Sequence, residues 1–312
     1  PVTIYYAFKQ SESNRDGTTS TGWETFLEAV IDAGFTITGT WPVRTERPTG
    51  VKVNINSLAS CIVLVCRQQT GNAPTTRREF VSALKAELPV ALSHLQRGNI
   101  APVDLAQAAI GPGMAIYTRY SKVLDAGGKP LSVRQALGLI NQILDEVLAE
   151  QESDFDEDSR WALAWFEQFG FAEGEFGIAN DLSLSKNTSV AGLVTAGIIK
   201  SGRGKVRLLR PNELPGDWNP DTDTRLTNWE MVHHLIRVLE ASGESAAAKI
   251  MAKLGAKAET ARELCYRLYT MCERKKRTTE ALSYNALVQS WPEITRLARE
   301  GGGPQEEQAE LF

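Results

Sequence analysis

Two short stretches carry side chains that could act on a nucleic acid. From 182 to 212 the chain reads LSLSKNTSVAGLVTAGIIKSGRGKVRLLRPN, with Lys186, Lys200, Arg203, Lys205, Arg207 and Arg210 and no acid. In a chain whose formal net charge is -4 this is a local reversal. Cations set along one surface neutralise phosphates and release their counterions. The turn Ser201-Gly202-Arg203-Gly204 between IIK and KVRLL predicts a hairpin, after a short helix from about 189. A helix followed by a basic hairpin is the outline of a winged helix, with DSRWALAWFEQFG and GIANDLSLSKN as the two helices before it. Lys200, Arg203, Lys205, Arg207 and Arg210 are then the candidate DNA contacts. The helix SVAGLVTAG is too apolar to read base edges, which favours backbone contact over sequence readout. A structural winged helix that only solvates its hairpin accounts for the same residues.

The second stretch is TWPVRTERPTG, where Trp41 could stack on a base, Arg44 and Arg47 could contact phosphate or base, and Glu46 could accept a hydrogen bond. Planar aromatics beside guanidiniums suit an extruded base. Chance association in a polar loop explains the grouping as well. The glycine pairs in IGPGM (110 to 114) and SGRG (201 to 204) do not lie between a strand and a helix as a phosphate cradle requires, and they read as turns. His94, His233 and His234 are the only histidines, and no carboxylate cluster joins them. Cys61 and Cys66 fall on opposite faces of a strand, Cys265 and Cys272 on one face of a helix; neither pair has zinc or redox spacing. No Ser/His/Asp or Cys/His set stands out, so no catalytic residue and no metal ligand is assigned.

The elements that must position these groups divide in two. Residues 1 to 67 read β, α, β, β, beginning with PVTIYYAFKQ, whose β-branched and aromatic residues suit a central strand. The last two strands, FTITGTWPV and ASCIVLVCR, follow each other without a helix and predict an antiparallel pair. Sixty-seven residues cannot cover both faces of such a sheet. The expectation is that its remaining strands lie upstream of Pro1 or in a separate subunit. From about 75 the spacing turns helical. Val133, Leu137, Ile140, Leu144 and Val147 form one stripe behind an N-cap at Ser132, and Trp229, Val232, Ile236 and Leu239 another behind a Thr227/Glu230 capping box. The run DEVLAEQESDFDED carries eight acids and no base, and reads as a solvated helix end plus linker. With 42% hydrophobic and 23% charged residues the composition excludes disordered and membrane classes, and a cytoplasmic protein is expected.

Several blocks also resemble a known family. GWETFLEAVIDAGFTITGTWPVRTE, closed by SLASCIVLVCR, resembles the end of the catalytic fold in large bacterial and archaeal adenine-specific DNA methylases. RREFVSALKAELPVALSHLQRGNIAPVDLAQAAIGPGMAIYTRYSKVL and YRLYTMCERKKRTTEALSYNALVQSWPEI resemble their long C-terminal region. The resemblance implies a doubly wound domain that uses S-adenosylmethionine to methylate the N6 of adenine in DNA. Within it PVTIYYAFKQ would be the fifth of seven strands and the hairpin the sixth and seventh, the seventh antiparallel. The family's glycine-rich cofactor loop and its Asp/Asn-Pro-Pro-Tyr motif are absent from these residues; WNPDTD at 218 to 223 is the nearest string. Only Trp41, Arg44, Thr45 and Glu46 match a region that would line the target-base side of the pocket.

The expected fold is thus α/β, a partial Rossmann-like methyltransferase sheet with its last strand antiparallel, followed by a mainly α region containing a winged-helix-like module. The divisions are 1–69 (end of a catalytic sheet), 70–150 (helical), 151–225 (winged-helix-like), 226–299 (helical) and 300–312 (a glycine-rich acidic tail whose composition predicts disorder). Two functions fit. One is the C-terminal portion of a DNA adenine-N6 methyltransferase, with DNA and the N-terminal catalytic portion as partners, the cofactor not bound by this chain alone, and a role in restriction-modification or defence compatible with the family. The alternative is a non-catalytic helical and winged-helix binding module that docks to a partner subunit.

Overall fold

The computed structural model describes residues 1–7, 21–44, 60–71 and 73–301, in two compact units that part between Gln151 and Glu152. In the first, β1 (Val2–Ala7), β2 (Phe35–Arg44) and β3 (Ser60–Gln68) form a sheet in the order β1-β3-β2. β3 runs antiparallel to both neighbours, so β1 and β2 are parallel to each other and are joined through α1 (Thr21–Asp32). Among the described residues β1 is paired along one edge only. Opposed residues of an antiparallel ladder share a face, which groups Ile4, Tyr6, Thr40, Ile62, Leu64 and Cys66. This face is covered. Ile62, Leu64 and Cys66 are buried, and the Tyr6 ring lies 4.9 Å from Trp23 and 4.7 Å from Phe26 of α1.

A short parallel pair, β4 (Thr75–Thr76) and β5 (Val123–Leu124), accompanies α2 (Arg77–Arg97), α3 (Pro102–Tyr117) and α4 (Val133–Glu150). Capping boxes at Thr76 and Ser132 start α2 and α4. The string IGPGM is not the turn its glycines suggest, because it lies inside α3. The reason is packing. A Cβ at position 111 would stand 2.3 Å from the Thr40 backbone nitrogen, and one at 113 would stand 2.6 Å from Ile140, so only glycine lets α3 approach β2 and α4 this closely. Pro112 lacks the N–H that would reach the carbonyl four residues earlier. The Thr40 hydroxyl replaces it, donating to the Ala108 carbonyl at 3.0 Å.

The second unit begins with α5 (Glu157–Phe169), β6 (Gly174–Glu175), α6 (Phe176–Ser185), α7 (Val190–Thr195), β7 (Ile199–Gly202) and β8 (Lys205–Leu208). Its strands pair antiparallel in the order β6-β8-β7. Then α8 (Asn228–Ser242), α9 (Glu244–Leu254), α10 (Lys257–Lys275) and α11 (Thr278–Gly301) bury Trp229, Tyr266, Tyr284 and Trp291. The acidic run of 145 to 158 is not simply solvated, because buried donors need its carboxylates. Asp156 caps α5 by accepting from the Ser159 amide at 2.8 Å. It also accepts from the backbone and side-chain nitrogens of Asn228, at 2.8 and 2.9 Å, where α8 begins. Buried Asp158 takes Arg225 Nε at 2.6 Å and Nη2 at 2.9 Å, together with the Thr188 hydroxyl. The 302–312 tail lies outside the described residues.

Two outcomes test this account. Thr40→Val removes the donor to the Ala108 carbonyl and should cost about 1–3 kcal/mol in urea unfolding, with Thr40→Ser recovering most of it. Glu230 is 3% exposed, and burial, with Asp223 and Asp156 adding, pushes its carboxyl from 4.5 up to about 8 against the pull of the Thr227 hydroxyl and amide. Between those two values the unfolded chain has lost the proton that the folded chain keeps, so stability falls as pH rises through this window. Glu230→Gln keeps an acceptor for Thr227 and should remove that slope. In thermal melts the variant should match the parent below about pH 4.5 and exceed it above pH 8.

Candidate functional site

The basic hairpin is built by alternation. Its register pairs Ile199 with Leu208 and Ser201 with Val206 on one face, and Lys200 with Arg207 and Gly202 with Lys205 on the other. Ile199, Val206 and Leu208 are buried, so the second face turns its cations outward. Arg203 and Gly204 take left-handed backbone, φ 52° and 74°, which fits a two-residue turn. The five candidate cations are then used differently. Arg207 is held by Glu213 through two parallel bonds of 2.6 and 2.7 Å. That guanidinium, with the Arg210 backbone amide adding, holds the Glu213 carboxyl down at about 2. Arg210 places its guanidinium 5.1 Å over the Phe171 ring. Lys205 lies 3.4 Å from Glu175, both exposed, a pairing worth little in water. Lys200 and Arg203 are exposed. Three of the five, Lys200, Arg203 and Lys205, thus form an outward basic tip.

The helix before the hairpin has no means of reading bases. α7 buries Val190 and Leu193 and exposes Ala191, Val194 and Thr195. None of these is a long polar side chain able to make a bidentate base contact.

Of the second candidate set, Trp41 has its side chain described and Arg44 its place in the strand. It is 49% exposed on β2 and borders a cleft of about 570 Å³ with Val90 and His94 of α2 and Pro112 of α3. Arg44 closes β2, while Thr45, Glu46 and Arg47 lie outside the described residues. Among the described residues that line the cleft, the one carboxylate that could serve a nucleoside ribose, Glu87, is tied to Arg119 by bonds of 2.9 and 2.8 Å, which does not suit S-adenosylmethionine. No methyl-transfer step is built on these residues.

Two histidines and three cysteines serve the core. His233 contacts the Trp229 carbonyl at 2.7 Å and the Tyr284 hydroxyl at 3.0 Å, and burial lowers it to about 4, so it is neutral near pH 7. His234 stacks on Trp218, with centroids 4.0 Å apart, and burial, with Arg237 nearby, lowers it to about 3. This contact gives the WNPDTD string a packing role. Burial pushes the Cys272 thiol up to about 12 and raises Cys265 and Cys66 as well, which keeps these sulfurs from acting as thiolates. Among the described residues no three His, Cys, Asp or Glu side chains are grouped to hold a metal ion, and no helix is long and apolar enough to cross a membrane. The hairpin's basic tip was legible from residue type and turn spacing. Glu213, which takes Arg207 out of it, is the first residue beyond the basic run and could have been found by extending the charge count one position.

No curated protein and no solved structure matches the chain. Residues 156–311, half of its length, match the family described as Domain of unknown function (DUF8807), a segment that begins at the helix cap Asp156. The chain belongs to that family.

Proposed function

We propose that this chain is a non-catalytic binding module that docks through its N-terminal sheet onto a strand-bearing partner polypeptide and lays the β7–β8 hairpin against the phosphates of DNA. The observation that carries the reading is the outer edge and second face of the three-stranded sheet. Beside the β1 edge, which has no strand partner among the described residues, the face opposite the buried one carries Tyr5 (74% exposed), Trp41 and Val43, with Val63 and Val65 half-buried. A strand edge beside an apolar face is what strand addition completes. For the second unit, the succession α5, β6, α6, α7, β7, β8 with strands ordered β6-β8-β7 supports a winged-helix-like module. Its free cations sit on the wing and its helix is apolar, which favours phosphate contact without sequence choice.

A second reading gives the partner an identity: the catalytic portion of an adenine-N6 DNA methyltransferase, preceding this chain in one polypeptide or as a separate subunit. The strand arrangement favours it. β1 and β2 run parallel, linked by a helix, with β3 antiparallel between them. That is compatible with the end of a doubly wound sheet whose last strand is reversed. On this reading the cofactor site belongs to the partner portion.

Binding of a labelled random-sequence duplex, followed by anisotropy, tests the hairpin. Replacing Lys200, Arg203 and Lys205 with alanine should weaken binding equally on unrelated sequences and make the salt slope shallower by about one unit per lost contact. Glu213→Gln should strengthen binding by releasing Arg207. Identical isotherms for parent and triple variant would remove DNA contact from the proposal. For the sheet, sedimentation should show concentration-dependent self-association of the isolated chain, abolished by Tyr5→Lys with Val63→Lys at unchanged melting temperature. A strictly monomeric parent argues against an unfinished surface. Binding of S-adenosylmethionine by this chain alone would sink the second reading.

A further inference from the structure

The second unit holds a cleft that neither proposed binding surface uses. It lies among Phe171, the segment after β8, the end of α8 and the start of α11, with a volume of about 280 Å³. That size suits one side chain or a small molecule and is too small for a nucleotide. Phe171 and the buried Tyr284 supply aromatic wall, and Glu240 of α8 and Glu280 of α11 supply carboxylates. Ser283 donates to Glu240 at 2.7 Å and fixes one of these acids. Tyr284 is itself fixed by His233. Arg277, just before α11, is spent elsewhere: it donates to the Phe166 and Glu167 carbonyls and stacks 4.9 Å over Phe166.

Arg210 reveals what the wall accepts. Its guanidinium carbon stands 5.1 Å above the Phe171 ring, inside cation–π range, and Arg210 lines the same cleft. A delocalised cation therefore already occupies the aromatic side, supplied by the exposed side chain of Arg210. The geometry points to a receptor for an alkylguanidinium group, the side chain of a partner's arginine or a free guanidine, which enters the cleft, pairs with Glu240 and Glu280 and displaces Arg210 from Phe171. A guanidinium fits better than an ammonium because one planar fork can both stack on an aromatic ring and bond a carboxylate twice. This inference does not depend on the hairpin touching DNA.

Titration of the full chain with butylguanidine, with butylurea as an uncharged isostere and a blocked arginine tripeptide as the polypeptide form, tests it. Butylguanidine should shift the ring resonances of Phe171 and Tyr284 at millimolar concentration, and butylurea should not. Glu240→Gln with Glu280→Gln should weaken binding about tenfold, the loss of a charge-assisted bond. Arg210→Ala should tighten binding, since it removes the resident competitor; a purely structural Arg210 predicts no gain. Tighter binding of the tripeptide than of butylguanidine identifies a polypeptide source, and equal binding a free guanidine. Absence of ring shifts, equal shifts with butylurea, or an Arg210→Ala affinity no better than the parent's would overturn the proposal.

Discussion

The close seam between α3 and β2 decides what the rest of the first unit can be. Gly111 gives up its side chain so that the Thr40 backbone can lie against the helix, and the Thr40 hydroxyl takes up the Ala108 carbonyl that Pro112 strands. Thr118, just past α3, adds a second tie: its hydroxyl accepts from the Ile37 amide at 3.1 Å and donates to the Met114 carbonyl at 2.7 Å. With α3 locked onto the face that carries Thr40, and α1 on that same face through Tyr6, both helices serve one side of a three-stranded sheet. On the other side Tyr5, Trp41 and Val43 stay exposed, while Val63 and Val65 are half-buried. One-sided coverage thus follows from the specific chemistry of a few residues. Among the described residues, a sheet whose β1 edge has no neighbouring strand and whose second face leaves Tyr5, Trp41 and Val43 exposed is the kind of surface that proteins normally cover or charge.

The second unit solves a different problem, that of putting acids near helix starts without stranding them. Asp156 satisfies the N-termini of two helices at once, and the Ser159 hydroxyl extends the arrangement by accepting from the Trp229 amide at 2.8 Å. Asp158 is compensated by a guanidinium in bidentate geometry, whereas Glu230 takes the Thr227 hydroxyl and holds its proton instead. Burial is thus tolerated in two ways: by pairing where Arg225 bonds the carboxylate directly, and by neutralisation where a hydroxyl is the bonded partner.

Which parts of this were readable beforehand follows the range of the interaction. The caps at Ser132 and Thr227 and the turn at Arg203-Gly204 depend on residues within four positions of one another, and the structure has them where the local pattern puts them. The glycines of IGPGM were misleading, because a glycine needed for close approach is indistinguishable in sequence from one needed for a turn; only Thr40, some seventy residues earlier, tells them apart. The acidic run failed for the same reason. Its partners Asn228, Arg225 and Arg267 lie 67 to 115 residues away. At the candidate site the charges were legible and their availability was not, since availability depends on which neighbouring acids fold back onto them.

That last point bears on how basic the hairpin can be. Counting charges from 182 to 212 gives six cations and no acid. Yet Glu213 returns along the strand to claim Arg207, Glu175 faces Lys205 across the β6–β8 pairing, and Phe171 takes Arg210. Phosphate must compete with each of these contacts. Against Glu175 the competition is easy, because both partners of that pair are exposed and 3.4 Å apart. Against Glu213 it is hard, because a bidentate pair with a half-buried guanidinium must be broken before Arg207 can turn outward. Any contact with a nucleic acid should therefore begin at the tip, with Lys200, Arg203 and Lys205, and reach Arg207 only where Glu213 has first been neutralised.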